Sequence, residues 1–122
     1  MKKIVFILII SFVTASVNAQ LSHTKWKGAI KGDNPQGAML KFGKDTLILY
    51  AAKDGSVIET MKYSVKEGVL TMIKISGQSD CDNKTYGNYK FVIKDGMLNM
   101  TVTSDNCYDR SSALDKTVWK KG

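Results

Sequence analysis

The chain after residue 19 predicts an all-β fold: an antiparallel up-and-down meander of about eight strands, closed or nearly closed into a barrel. Three observations lead there. Segments of strand composition alternate with Gly-, Asn- and Asp-containing turn signals at intervals of about 10–14 residues. No long window carries the apolar period of an amphipathic helix. Several segments alternate as half-buried strands do. Tyr89, Phe91 and Ile93 oppose Asn88, Lys90 and Lys94, and Leu98, Met100 and Val102 oppose Asn99, Thr101 and Thr103.

Residues 1–19 read as a signal peptide that is cleaved. Met1-Lys2-Lys3 is a basic start, Ile4 to Val13 is an apolar run, and Val17-Asn18-Ala19 fits a small-x-small cleavage site. The mature protein is expected to begin at Gln20, and residues 20–122 form a single domain. The run is too short to span a bilayer comfortably, and no cysteine flanks the site, so no stable membrane anchor is expected. The destination is the periplasm or the exterior. Loss of Lys2 and Lys3 lowers the formal charge from +7 to +5. The remaining lysines are scattered without a block of like charge, as on a solvated outer face. With no nucleic-acid motif, nucleic acid is not an expected partner.

The strands follow in order. Thr24 to Ile30 is centred on Trp26, and Gly32 to Gly37 is a turn cluster with the only proline, Pro35. Ala38 to Phe42, Thr46 to Ala51, Val57 to Lys66 and Val69 to Ser76 are strands two to five. Strand two is ambiguous, with Met39 and Lys41 opposing Leu40 and Phe42. So is strand five, which has Val69, Ile73 and Ile75 on one face and Leu70 and Met72 on the other. On strand four Val57, Met61, Tyr63 and Val65 share the apolar face with Glu59, a carboxylate that a bulge or a mouth position is expected to expose. Tyr86 to Lys94 and Met97 to Ser104 flank Asp95-Gly96, a strong two-residue hairpin signal. Asn106 to Ser112 is a loop or short helical turn, and Ala113 to Lys120 is the last strand.

A cysteine lies beyond each end of that hairpin. Turning at Asp95-Gly96 makes paired residue numbers sum to 191, which leaves Cys81 and Cys107 three residues out of step. The polar segments around them can curl back to allow a bridge. Two cysteines in an exported chain fit one disulfide, Cys81–Cys107. Such a loop closure stabilises by roughly 3–4 kcal/mol in the chain-entropy view.

An exported β-meander with the early tryptophan Trp26 and the late arginine Arg110 resembles the lipocalin-like barrels of the calycin group, in a small bacterial form. The resemblance implies that Trp26 packs at the closed end of the barrel under Arg110, and that an apolar small molecule is the ligand. The chain departs from the pattern in having Thr24 where a glycine is usual, in placing Arg110 before the last strand, and in being short.

Little points to catalysis. His23 is the only histidine, and the sequence has no zincin, nucleophile-elbow, P-loop or C-x-x-C motif. No enzyme, cofactor or metal is expected. Asp80, Asp82, Asp105 and Asp109 flank the cysteines, and a bridge gathers them as conceivable calcium ligands, although polar loops with Arg110 as counter-charge explain them as well. The expectation is a non-enzymatic binding protein holding a small apolar or amphipathic ligand against Met61, Tyr63, Tyr89, Phe91, Leu98 and Met100. Its rival is a solid-core barrel that meets an envelope protein through the loops at Asn34-Pro35 and Cys81.

Overall fold

The computed structural model describes residues 20–122; the expected signal segment lies outside the described residues. Eight strands run in chain order: β1 (Thr24–Ile30), β2 (Gln36–Phe42), β3 (Thr46–Ala51), β4 (Val57–Lys66), β5 (Val69–Gly77), β6 (Gly87–Lys94), β7 (Met97–Asp105) and β8 (Thr117–Lys121). One helix, α1 (Tyr108–Leu114), interrupts the β7–β8 connection. Each strand pairs antiparallel with its chain neighbours, and β8 returns to β1, so the sheet closes into an up-and-down barrel.

The two ends of the barrel differ. At one end lie the tight turns Gly43–Asp45, Glu67-Gly68 and Asp95-Gly96. In the last two, both central residues have positive φ (52° and 78°, then 54° and 76°), the geometry that matches strand twist in a two-residue hairpin. At the other end lie the four longer connections, including the 78–86 loop and the segment carrying α1. The first of these ends is the hairpin end and the second the loop end.

Alternation decides which side chains enter. Leu40, Phe42, Leu70 and Met72 are buried, which resolves the two ambiguous strands, and Ile75 faces out. The β6–β7 hairpin keeps the expected register from Lys94↔Met97 to Tyr89↔Val102, then slips by one at Asn88↔Ser104. On β4, a register shift between the Leu49↔Glu59 and Tyr50↔Val57 pairs leaves Ile58 unpaired in the ladder. The extra residue turns Val57 outward, to 48% exposure, while Glu59 stays inside with Met61 and Tyr63. A bulge was the expected way to turn Glu59 outward; the bulge forms one residue earlier and has the opposite effect.

The last strand is shorter than its composition suggests. Ala113 and Leu114 belong to α1, not to β8. Arg110 and Leu114, four residues apart, are its buried face. Two turns are too short for a helical period to stand out in the sequence. Beyond β8 the ladder on β7 is continued by a side chain, since Val102 N–H donates to Asp115 Oδ1 at 2.8 Å.

One local arrangement occurs twice. In Leu21-Ser22-His23-Thr24-Lys25-Trp26 the indole Nε1–H donates to Thr24 Oγ1 at 2.9 Å, and the Thr24 hydroxyl donates to the Leu21 carbonyl. In Leu114-Asp115-Lys116-Thr117-Val118-Trp119 the same two bonds run from Trp119 to Thr117 and from Thr117 to Leu114, the first again 2.9 Å. The residue before each threonine is left-handed, His23 at φ 62° and Lys116 at φ 58°. Both tryptophans are buried, and both leucines belong to the core cluster. Because β1 and β8 run oppositely, Leu21 plugs the hairpin end and Leu114 the loop end. Trp119 lies against β1 at Gly28, where a Cβ would come within 2.7 Å of its ring, so only glycine leaves the indole room.

Thr24→Val and Thr117→Val are each expected to lower stability by about 1–3 kcal/mol, because each strands a buried indole N–H. The loss at Thr117, which is 2% exposed, should exceed that at the half-buried Thr24, where water can substitute. Urea unfolding midpoints check this, and equal or absent losses would contradict it.

Candidate functional site

The loop end is built around one charged pair. Asp105 closes β7 and Arg110 lies in α1, and their side chains are 0% and 3% exposed. The guanidinium grips the carboxylate with two nitrogens, Nε to Oδ2 at 2.7 Å and Nη2 to Oδ1 at 2.9 Å. Tyr89 Oη–H donates to Oδ2 at 2.5 Å, Cys107 N–H to Oδ1 at 2.9 Å, and Arg110 Nη2 also reaches the Thr85 carbonyl at 2.8 Å. Gly87 makes room, since a Cβ there would come within 2.4 Å of Asp105 Oδ2 and 2.8 Å of Arg110 Nε. The Cys81–Cys107 disulfide, with Cα atoms 5.5 Å apart, ties the 78–86 loop to the residue before α1.

Burial alone would raise the Asp105 pKa, but the bonds from Arg110, Tyr89 and the Cys107 amide outweigh it and hold the carboxyl below its ordinary 3.8. Burial, and then the bond to Asp105, push the Tyr89 phenol far above its ordinary value. Asp105 is thus the anion and Tyr89 the donor. One group is left over: among the described residues Arg110 Nη1 is buried without a hydrogen-bond partner.

Arg110 also lines a cavity of about 190 Å³ under α1 at the loop end. Ile30, Leu49, Ile58, Met61, Ala113 and Leu114 form apolar walls, and Lys31, Asp33 and Asn34 belong to the β1–β2 loop at its mouth. Glu59 reaches it too, 5% exposed, with Oε1 accepting from Ser79 N–H at 3.1 Å and Oε2 from the Ser79 hydroxyl. Gly77, at φ 138°, allows that carboxylate its place, because a Cβ there would come within 2.1 Å of Oε1.

Of the six residues expected to line a pocket, Met61 does so. Tyr63 sits toward the hairpin end, its hydroxyl donating to the Gly43 carbonyl at 2.6 Å and its ring edge-on to Phe42. Tyr89, Phe91, Leu98 and Met100 are packed in the core and do not border this cavity. The hydrogen bonds of Trp26 and Arg110 go to separate places, Thr24 for one and Asp105 with Thr85 for the other. Glu59, Gly77 and Leu114 carry roles that alternation cannot show, because each depends on a loop-end contact. The one available signal was Glu59 itself, a carboxylate on an apolar face.

The aspartates near the disulfide do not assemble into a cation site. Asp82 Oδ1 accepts the Lys84 and Thr85 amides, Asp109 accepts the Asp80 amide, and Asp105 is turned inward. Among the described residues no group of three or more potential ligands is placed to hold a metal. His23 is exposed in the turn before β1.

No protein-family model, curated protein or solved structure matches the chain. The site therefore speaks through its own chemistry: a small space with apolar walls, lined also by the buried charged residues Glu59 and Arg110.

Asp105→Asn should cost about 3–5 kcal/mol at pH 7, because it leaves a buried guanidinium without its counter-charge. The Asp105 contribution is full above the unfolded carboxyl value of 3.8 and is lost as pH falls through the lower folded value. The stability gap between parent and variant should therefore narrow below about pH 4. Urea titrations at a series of pH values measure it, and a gap independent of pH would refute the role given to the pair.

Proposed function

We propose that this is an exported, non-enzymatic binding protein of lipocalin-like design, holding a small amphipathic molecule in the cavity beneath α1. The cavity carries this reading. Its roughly 190 Å³, open to solvent on one side, is room for a guest about the size of one small ring. It lies below the range of about 300–1,000 Å³ usual for drug-sized ligands, so the guest is small. Apolar walls with a few convergent polar groups are the common make-up of such sites. The disulfide supports export, since such bonds persist in oxidising compartments.

The rival reading, a solid barrel that works through its loops, has one observation in its favour. Tyr89, Leu98 and Met100 are 0% exposed in a filled interior, so no long apolar chain can thread the barrel. It accounts less well for the two buried charged residues, Glu59 and Arg110, that line one cavity.

Fluorobenzene, followed by fluorine NMR, is expected to bind the mature protein at one-to-one stoichiometry. Ile58→Trp, at the cavity wall, should abolish binding with little loss of stability. Leu98→Trp, in the packed interior, should instead destabilise by about 1–3 kcal/mol through overpacking. No binding to the folded parent would remove the ligand reading in favour of its rival.

A further inference from the structure

The fold sorts the charges of this chain. Of the eleven acidic residues, only Glu59 and Asp105 lie on strands, and both side chains are buried; the others sit in the strand connections or in α1. No carboxylate therefore projects from the outer wall of the barrel. Lysines do, so the charged side chains of that wall are all cationic.

They are densest where the barrel closes. On β1, Lys25 and Lys27 are two residues apart and so share the outer face. Lys25 stands directly opposite Lys41 of β2, and Lys27 directly opposite Lys120 of β8. All four are exposed. The sequence shows no block of like charge because the four come from three strands that closure brings side by side. Directly opposed side chains have Cβ atoms about 4.5–5.5 Å apart, and like charges there are destabilising. Among the described residues no carboxylate lies within ion-pair distance of any of the four. Both like-charge pairs thus cost stability that nothing in the fold returns, and an anion outside the protein removes that cost.

The make-up of the face indicates which anion. Its charges are lysines, point charges on flexible stems, rather than arginines that grip one carboxylate or phosphate in a fixed fork. Beside them Met39, Ile48 and Tyr50 are half-buried on the same face, and Val118 is 50% exposed. Diffuse positive charge interspersed with apolar side chains suits an anionic bilayer, where lysines meet headgroups and apolar groups leave water. We propose that the outer face of β8, β1 and β2 is a docking surface for a membrane rich in anionic lipid, on which the protein rests reversibly through Lys25, Lys27, Lys41 and Lys120. This stands apart from the ligand-binding role, since none of these lysines lines the cavity under α1.

The test uses the mature protein, which lacks the apolar run Ile4 to Val13. It should sediment with vesicles of equal parts phosphatidylglycerol and phosphatidylcholine at low salt, stay in solution with pure phosphatidylcholine, and be released as added salt screens the contact. Lys25→Gln, Lys27→Gln, Lys41→Gln and Lys120→Gln should each weaken partition about fivefold, and together abolish it. The combined variant should unfold at a urea concentration no lower than the parent, because it relieves both like-charge pairs. A lower midpoint would contradict the cost assigned to them. A second combined variant, Lys62→Gln, Lys66→Gln, Lys90→Gln and Lys94→Gln, removes the same charge from β4 and β6 and should keep most of the binding. No binding of the folded parent to the anionic vesicles, equal binding to neutral ones, or equal loss in the two combined variants would overturn the proposal. Binding of soluble polyglutamate without binding of vesicles would also overturn it, and would assign the face to an acidic protein partner.

Discussion

The loop end of this barrel depends on the ion pair between Asp105 and Arg110. Taking both charges out of water is expensive, and the attraction between them offsets that cost only when the remaining hydrogen-bonding capacity is also met. Here the bidentate grip, the Tyr89 hydroxyl, the Cys107 amide and the Thr85 carbonyl meet nearly all of it. The pair joins the end of β7 to α1 and the 78–86 loop, and the disulfide fastens the same two segments covalently. A helix of two turns has little stability of its own, so these ties hold it across the barrel mouth. The cavity is the space left between that helix and the strand ends.

The barrel has a second requirement, closure between its first and last strands. β8 is short, and its direct pairing with β1 is confined to Trp26↔Lys121 and Lys27↔Lys120. Packing adds what the ladder lacks. Each of the two strands carries a tryptophan anchored to a threonine, and each threonine is anchored to the carbonyl of a leucine that plugs one end. Gly28 lets Trp119 lie against β1. The molecule is thus closed twice by one device, at the hairpin end by Leu21 and at the loop end by Leu114, and the cavity lies on the loop side of the packed interior.

The strands were legible because their causes are local. Alternation sets which residues face in, and Asp95-Gly96 sets a register that extends to Tyr89↔Val102. The Cys81–Cys107 pairing was legible from the number of cysteines and the expected export of the chain, although its geometry needed the loops. The cavity was not legible. Glu59 remains inward because Ile58 is extruded from the ladder and Gly77 leaves room for its carboxylate, two facts about neighbouring strands rather than about β4. The expected lining on Tyr89, Phe91, Leu98 and Met100 correctly faces inward, but facing inward does not distinguish a filled interior from a hollow one. That depends on summed side-chain volume around a closed sheet, which pattern does not measure. The Leu-x-x-Thr-x-Trp pattern is visible twice in the chain, yet its meaning depends on β1 and β8 being neighbours.

The most direct measurement is a crystal structure of the protein at a resolution that shows ordered water, inspected in the space under α1. If the space under α1 is a binding site completed by a guest, density that does not belong to the chain should lie against Ile30, Leu49, Ile58 and Leu114. A space beneath the helix filled by the protein's own Ile58 and Met61 side chains would contradict it.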